Sequence, residues 1–311
     1  MKNHHLLAYA MSTPWALMPE RMAAYAAVLA RHYAGGASGD TLPQAPVNAA
    51  AADMLAEMQA RVGGGSSGGG SSNGIALVPV MGAIVEWPHQ IDMCDGGTST
   101  RQISRALDQA EADSSVGHIV MVFGTPGGSV YGVQELGDQI NRIKSRKPII
   151  GVAQSLSASA GYWLMAQCSE AYCTPSGEVG SIGVYSGHED MSKALEMAGV
   201  SIELFSAGEY KTEGHPFGPM TQEGKDYQMK RAQDYYATFT KAVAKGRSVP
   251  IEAVRNGMGK GRVLSAQDAL AENMIDGIAT LEEVLSRIQK PVRSSRSANA
   301  ARFAADIAAV S

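Results

Sequence analysis

Residues 119–130 read IVMVFGTPGGSV, and this stretch decides the fold class of the chain. Its first five residues form a short apolar run, which is typical of a buried strand. The proline followed by paired glycines is typical of a tight turn. The arrangement recurs further along, where the apolar run Ile149–Ala153 is followed by a stretch rich in serine, alanine and glycine. Both stretches predict a strand that ends at a turn and leads into a helix.

Amphipathic segments alternate with these apolar runs. Apolar residues at helical spacing mark one helix before residue 119 and another after residue 130, namely Ile103, Ala106, Leu107 and Ala110, and Val133, Leu136, Ile140 and Ile143. We predict further strands at Ile75–Val80, Ala83–Trp87 and Ile202–Phe205. We predict further helices at Met191–Ala198, Gln222–Lys245, Ala266–Glu272 and Leu281–Ile288. The alternation predicts an α/β fold with a mostly parallel sheet and helices in layers.

A stretch of glycine and serine divides the chain. Residues 63–74 read GGGSSGGGSSNG, a composition that cannot bury apolar surface and that predicts a flexible linker. The part before it is rich in alanine and methionine and predicts one helix from Pro19 and a second over Asn48–Val62. The predicted organisation is a helical N-terminal arm (1–62), a flexible linker (63–74), an α/β domain (75–290) and a flexible or helical C-terminal tail (291–311).

The composition of the 311 residues excludes several classes of protein. Apolar residues make up 45% and charged residues 18%, which allows a sizeable core and argues against wholesale disorder. The net charge of −4 argues against a nucleic-acid binder that relies on positive charge. Only three cysteines are present, which argues against a disulfide framework and favours a reducing compartment. No apolar run approaches the ~18–20 residues that span a bilayer, so we expect a cytoplasmic protein without a membrane anchor.

The turn that follows residue 123 is the first candidate for chemistry. The backbone amides of Gly127 and Gly128 are not obstructed by side chains, and such amides can stabilise a developing oxyanion. The alternative is a strand-to-helix turn without a catalytic role.

A serine after the second apolar run is the next candidate. Ser159 stands at a strand-to-helix corner in SASAGYW, where the Ala160 N–H is close enough to help bind an oxyanion. The alternative role for Ser159 is to cap the helix. We assign the neighbouring Ser155 and Ser157 to capping or turn roles.

A lysine after the predicted strand Ile202–Phe205 completes the candidates. Lys211 ends the segment SAGEYK, and a lysine in a loop is usually a solvated charge. A serine nucleophile needs a base, and burial against apolar walls can lower the pKa of a lysine toward ~7–8, which suits that role. The sequence alone leaves both readings of Lys211 open.

Four segments, taken in order, resemble the S49 serine peptidases, a family that contains signal peptide peptidase A and related phage head-maturation proteases. They are TPGGSV (125–130), SASAGYW (157–163), GEVGSIGV (177–184) and SAGEYK (206–211). The resemblance covers about residues 75–290. It implies a ClpP/crotonase-like fold and a peptidase that uses a serine–lysine dyad without a cofactor or a metal ion.

The resemblance also implies a role for each matching residue. Ser159 matches the nucleophile of the family and Lys211 its general base, whereas Gly128, Gly127 and Ala160 match the positions whose amides bind the oxyanion. Relatives often have glycine where this chain has Ala160, a change that preserves the amide donor. The chain also departs from the family pattern directly after Lys211, which affects the loop that borders the substrate groove.

Other readings remain open at this point. His188 and Asp190 follow Ser159 in the chain and offer a Ser–His–Asp triad as a rival to the lysine dyad. A crotonase-type acyl-CoA enzyme shares the implied fold, and a non-catalytic assembly protein would retain the fold without the chemistry. Degradation of signal peptides or other membrane peptides would use the same dyad on another substrate.

The implied partners follow from the resemblance. A single protease domain behind a helical arm resembles the head-maturation proteases, so we expect a polypeptide substrate, such as a capsid or scaffold protein, and no nucleic acid. In relatives with one protease domain, the serine and the lysine can come from adjoining subunits. We therefore expect a homo-oligomer with active sites completed between subunits, in the host cytoplasm or the procapsid.

Overall fold

The computed structural model describes residues 13–18, 74–87 and 97–289, and every structural statement below refers to them. The helices predicted from Pro19 and over Asn48–Val62 lie outside the described residues. So do the linker up to residue 73 and the tail 291–311.

The strands occur along the whole described chain. In order they are β1 (Trp15–Leu17), β2 (Gly74–Met81), β3 (Ala83–Val85), β4 (Gly97–Ser99), β5 (Val116–Thr125), β6 (Gly127–Ser129), β7 (Ile149–Ala158), β8 (Glu170–Cys173), β9 (Glu178–Gly180), β10 (Val263–Ser265) and β11 (Gly277–Ile278). The apolar runs predicted at 75–80, 119–123 and 149–153 lie within β2, β5 and β7. These three predictions are confirmed.

The helices alternate with the strands, as the periodicity predicts. They are α1 (Thr100–Ala112), α2 (Val133–Lys144), α3 (Ala160–Met165), α4 (Ser192–Met197), α5 (Gln222–Arg247), α6 (Ile251–Asn256), α7 (Ala266–Ala271) and α8 (Leu281–Gln289), with a 3₁₀ turn at Met258–Gly261. Ser99 caps α1 in a capping box with Gln102. Among these helices, none is both long enough and apolar enough to cross a membrane.

Two sheets form the framework within the described residues. In the larger sheet, β2, β5 and β7 are parallel neighbours, β8 and β9 pair with different parts of β7, β11 is parallel to β8, and β10 is antiparallel to β9. The smaller sheet has the order β1-β6-β3-β4, with β1 antiparallel and the others parallel. The predicted layered α/β class is therefore confirmed.

Both faces of the larger sheet are buried. Along β5, Ile119, Met121 and Phe123 point into the main core, whereas Val120 and Val122 point into a second cluster on the opposite face. This alternation follows from the two-residue period of a strand. Helices α1, α2, α3 and α5 cover the main core and α8 covers the second cluster, which explains why the strands are apolar on both faces.

The N-terminal part differs from the prediction in its described residues. The sequence predicts a helical arm over 1–62, but Trp15–Leu17 is a strand of the smaller sheet, and its three residues are buried. Pairing with β6 supplies the hydrogen bonds of this strand, and β6 lies more than a hundred residues away in the chain. The local amino-acid pattern around Trp15 does not reveal a strand partner that lies so far away in the chain.

Two further predictions are wrong. Ile202–Phe205 is not a strand, and its residues are exposed because no other strand of the described chain pairs with it. Ser155 and Ser157 are neither caps nor turn residues. They lie in β7, which continues past Ala153 to Ala158 because its distal part pairs with β9.

Candidate active site

Ser159 stands at the junction between β7 and α3 in a strained backbone conformation. Its φ is 54° and its ψ is −116°, values that residues other than glycine rarely adopt. Its N–H donates to the Gly180 carbonyl oxygen at 2.7 Å, and its carbonyl oxygen accepts from the Trp163 N–H at 2.9 Å. These two bonds hold the strained residue in place. Strain of this kind concentrates at functional positions.

The hydroxyl group of Ser159 is buried and unpaired. The residue is only 1% exposed, and its Oγ has no hydrogen-bond partner among the described residues. It is in the N-cap position of α3 but makes no capping hydrogen bond, so the capping alternative does not explain it. A buried hydroxyl without a partner costs about 1–3 kcal/mol, which suits a group that is held for a substrate.

Gly127 lies directly against Ser159 and has to be glycine. Its φ is +98°, and a Cβ atom built on it would lie 2.2 Å from the Ala16 carbonyl oxygen and 2.8 Å from the Ser159 Cβ. Gly128 is equally restricted, because a Cβ there would lie 1.9 Å from the Ile84 carbonyl oxygen. The paired glycines therefore allow the backbone of β6 to pass between its neighbours and the serine.

Thr125 positions this glycine strand, a role that sequence reasoning missed. Its buried hydroxyl donates to the Gly82 carbonyl oxygen at 2.6 Å and accepts from the Gly127 N–H at 3.1 Å. The Gly127 amide is therefore engaged by a side chain next to it. The amides of Gly128 and Ala160 remain the candidates for binding an oxyanion. The Gly128 N–H faces the backbone of β1, which pairs with it at Ala16, and the Ala160 N–H belongs to the first turn of α3, where no intrahelical acceptor exists.

The structure of the single chain does not bring Lys211 to Ser159. Lys211 is exposed and lies in a succession of turns before α5, whereas Ser159 is buried and its Oγ has no bonding partner in the described part of the chain. The burial that would turn this lysine into a base is therefore missing here. The preceding residues are also exposed, and Phe205 has 90% of its surface accessible.

The rival triad is not assembled either. The His188 Nε2 lies 3.1 Å from the Gly218 carbonyl oxygen, and an Asp190 carboxylate oxygen accepts from the Ser192 N–H at 2.9 Å. Neither side chain bonds to the Ser159 hydroxyl. The hydrogen bonds that Asp190 makes belong to the start of α4.

The cysteines of the described chain are not suited to act as nucleophiles. Cys168 and Cys173 are buried and are not joined in a disulfide. Burial raises the pKa of Cys168 to about 12 and that of Cys173 to about 11, so both remain thiols at neutral pH. Cys94 lies outside the described residues.

The amino-acid sequence is similar to a peptidase family and to several phage proteins. The model of peptidase family S49 matches residues 141–294, a range that contains both Ser159 and Lys211. The head-tail preconnector protein GP5 of Enterobacteria phage P21 is 28% identical over 294 residues, which is 94% of this chain and 58% of that protein. The capsid assembly protease C of Escherichia phage lambda is 28% identical over 225 residues, or 72% of this chain and 51% of that protein.

Cellular proteases also match. Protease 4 of Haemophilus influenzae is 25% identical over 221 residues, which is 71% of this chain and 35% of that protein. The chain spans only 58% and 51% of the two phage relatives. Residues 141–294, just under half of the chain, thus match peptidase family S49, and the mixed α/β architecture with parallel strands is consistent with the ClpP/crotonase-like fold.

Proposed function

We propose that the chain is a serine endopeptidase in which Ser159 is the nucleophile and Lys211 is the general base. The observation that carries the proposal is the state of Ser159. It is a strained residue at a strand-to-helix junction beside a glycine strand, and its buried hydroxyl has no partner among the described residues. The match of residues 141–294 to the model of a peptidase family supports the same reading.

The proposed reaction uses groups of this chain only. The Ser159 Oγ attacks the peptide carbonyl carbon while the neutral Lys211 amine takes the hydroxyl proton, and the oxyanion accepts bonds from the Gly128 and Ala160 amides. The C–N bond then breaks as Lys211 returns the proton to the leaving amine. Water, deprotonated by Lys211, hydrolyses the acyl-enzyme and restores the Ser159 hydroxyl.

We further propose that Lys211 reaches Ser159 from a neighbouring subunit. The segment that leads to Lys211 is exposed and carries large apolar side chains: Met197, Val200, Ile202, Leu204, Phe205 and Tyr210. Large apolar side chains that are exposed together in one segment favour an interaction site. A second copy that covers it would also remove water from around Lys211, which the role of a general base requires.

The proposed substrates are capsid or scaffold proteins, in the host cytoplasm or in a procapsid. Similarity to a phage head-tail preconnector protein and to a capsid assembly protease supports this choice over peptides in membranes. Acyl-CoA chemistry has no evident use for a strained serine of this kind.

Two substitutions test the chemistry. The chain is co-expressed with candidate capsid and scaffold proteins, and processing is followed by mass spectrometry for the unchanged chain, Ser159→Ala and Lys211→Ala. We expect a loss of at least 10³-fold in both variants, since each removes a group that takes part in bond making or proton transfer. The exposed Lys225 provides a matched control, Lys225→Ala, which should process normally. Processing that persists in Ser159→Ala contradicts the proposal.

A mixing experiment tests the origin of the lysine. Ser159→Ala subunits still carry the lysine, and Lys211→Ala subunits still carry the serine. If the two groups come from different subunits, co-assembly of the two inactive variants restores about a quarter of the sites by random pairing. Absence of activity in co-assembled mixtures, with each variant shown to oligomerise, contradicts a shared site.

A further inference from the structure

We propose that the chain occupies its own peptide groove: Pro14–Met18 lies where a substrate would bind, with the Ala16–Leu17 bond at Ser159. The inference rests on the proposed function for the role of Ser159. According to this inference, Pro14–Met18 competes with the substrate and has to leave before another polypeptide binds. Its position also shows which backbone and side-chain features of a peptide the groove recognises.

The segment lies between two parts of the domain and is hydrogen-bonded to both. On one side it is antiparallel to Gly127–Ser129, and the Val130 N–H donates to the Pro14 carbonyl oxygen at 3.3 Å. On the other side, the Trp15 N–H donates to the Tyr185 carbonyl oxygen at 2.8 Å, and the Tyr185 N–H donates to the Trp15 carbonyl oxygen at 3.0 Å. Pairing of an extended segment along strand edges is how many proteins recognise peptides.

The register places one particular carbonyl group against the candidate oxyanion donor. The Met18 N–H donates to the Pro126 carbonyl oxygen at 3.0 Å, so these two residues form a hydrogen-bonded pair of the antiparallel ladder. Such pairs recur at every second residue, and the next pair is Ala16 with Gly128. The alternation therefore directs the Gly128 N–H to the Ala16 carbonyl oxygen.

The same carbonyl group is next to the nucleophile. A single Cβ position on Gly127 lies 2.2 Å from the Ala16 carbonyl oxygen and 2.8 Å from the Ser159 Cβ. The carbonyl and the serine side chain thus border the same small space. Attack on this carbonyl group would divide the chain between Ala16 and Leu17.

In the part of the chain that the structure describes, both edges of β6 are paired, which leaves none for a second peptide. β6 pairs with β1 along one edge and with β3 along the other, where Gly128 is the partner of Ile84. Ser159 is closed off from solvent in this arrangement, since its exposure is only 1%. A polypeptide substrate therefore has to displace β1, which competes as a tethered segment at an effective concentration of roughly mM.

The segment also shows which side chain fits beside the serine. Ala16 is fully buried in the main core cluster, so the groove accepts a small side chain at the residue whose carbonyl faces Ser159. A bulky residue there would overpack the core. The expected substrate is an extended polypeptide with alanine or a residue of similar size at this position.

The first test measures access to position 159 without using catalysis. Ser159→Cys is made in the full chain, and alkylation of the introduced thiol by iodoacetamide is timed by peptide mass spectrometry. Adding Trp15→Pro, which removes the N–H that donates to Tyr185, should speed alkylation at least tenfold. Adding Val284→Ala, a core truncation on the opposite face of the larger sheet, should leave the rate unchanged. Leu17→Ala replaces Trp15→Pro if the proline variant does not fold.

The second test measures binding. A fluorescent peptide with the sequence of residues 12–20, STPWALMPE, is titrated onto full-length Ser159→Ala, with and without Trp15→Pro. We expect at least tenfold tighter binding when β1 is weakened, and at least tenfold weaker binding of a peptide in which the alanine is replaced by tryptophan. A Ser159-dependent cut between Ala16 and Leu17 in the purified chain also supports the register.

Equal alkylation rates and equal peptide affinities in the paired variants would overturn the inference and make β1 a permanent strand. Neither readout depends on peptide hydrolysis. If cleavage survives in Ser159→Ala, the peptidase proposal fails, but the alkylation rates and peptide affinities still test whether β1 occupies the groove. Failure of the groove proposal in turn leaves the Ser159 chemistry untouched.

Discussion

The rings of Trp163 and Phe239 stack with their centroids 4.6 Å apart and their planes inclined by 11°. Trp163 belongs to α3, which begins directly after Ser159, and Phe239 belongs to α5, which follows the Lys211 segment. Both side chains are fully buried. This contact packs α3, which begins directly after the candidate nucleophile, against α5, the longest helix of the described chain.

Phe239→Ala is expected to lower the free energy of unfolding by about 3–5 kcal/mol, because it removes a buried ring and leaves a cavity against Trp163. Urea titration followed by circular dichroism measures the change. Met229→Ala is the matched control, because that side chain lies on the same helix, is 60% exposed and its loss should change stability by less than ~0.5 kcal/mol. A small effect of Phe239→Ala would contradict the packing described here.

Gly127→Ala is expected to abolish peptidase activity and to lower the free energy of unfolding by about 1–3 kcal/mol. The added Cβ would clash with the Ala16 carbonyl oxygen and with the Ser159 Cβ, in addition to the backbone strain of a positive φ. Gly261→Ala separates these effects, since Gly261 has a φ of +93° but no atom of the described residues lies within 4 Å of its Cβ position. Gly261→Ala should keep full activity. Activity retained in Gly127→Ala would show that the backbone can move away from the serine.

The free energy of unfolding should depend on pH in the acid range, because the Asp276 carboxyl group becomes protonated there. Burial alone would raise the pKa of its carboxyl group, but hydrogen bonds from the Arg247 guanidinium, at 2.8 and 2.9 Å, and from the Ala171 N–H outweigh burial and hold this pKa below its ordinary value. The stabilisation is therefore complete above the unfolded pKa of about 3.9, and it is lost as the pH falls through the lower folded pKa.

Asp276→Asn is expected to cost about 1–2 kcal/mol at neutral pH, less than for a fully buried pair because the aspartate side chain is 39% exposed. The difference between the unchanged chain and the variant should shrink toward low pH. Urea unfolding at pH ~7, ~5 and ~3 checks this dependence. A constant difference across these pH values would rule out the proposed titration.

The buried thiols should resist alkylation in the folded protein. Because burial raises the pKa of Cys168 and Cys173, we expect no labelling of either by iodoacetamide at pH ~8 under native conditions and complete labelling in denaturant. Peptide mass spectrometry distinguishes these positions from Cys94. Rapid native labelling of Cys168 would show that the core opens locally.

The exposed Phe205 should govern self-association if the Lys211 segment meets a second copy. Phe205→Glu places a charge in that contact, and we expect at least a tenfold weaker association by analytical ultracentrifugation together with a parallel loss of peptidase activity. Glu203→Gln, at an exposed position in the same segment, is a control that adds no charge. An unchanged association constant for Phe205→Glu would place the subunit contact elsewhere.

Local patterns predicted the regular elements well. The apolar stripe from Val133 to Ile143 coincides with α2, and the run at 119–123 lies in β5, because both depend on the period with which side chains meet a core. The strand predicted at Ile202–Phe205 is absent for a related reason. An apolar run becomes a strand only when another strand pairs with it, and the described single chain offers none there.

The amino-acid sequence by itself determined the α/β class, the order of the elements and the candidates Ser159, Lys211, Gly127, Gly128 and Ala160, because these depend on period, turn chemistry and short motifs. Tertiary structure alone decided that Ser159 is strained, that its hydroxyl has no partner within the described residues, that Thr125 engages the Gly127 amide, and that Trp15–Leu17 lies beside the serine. The physical reason is that strand pairing and burial join residues far apart in the chain. No local pattern records which backbone groups will meet.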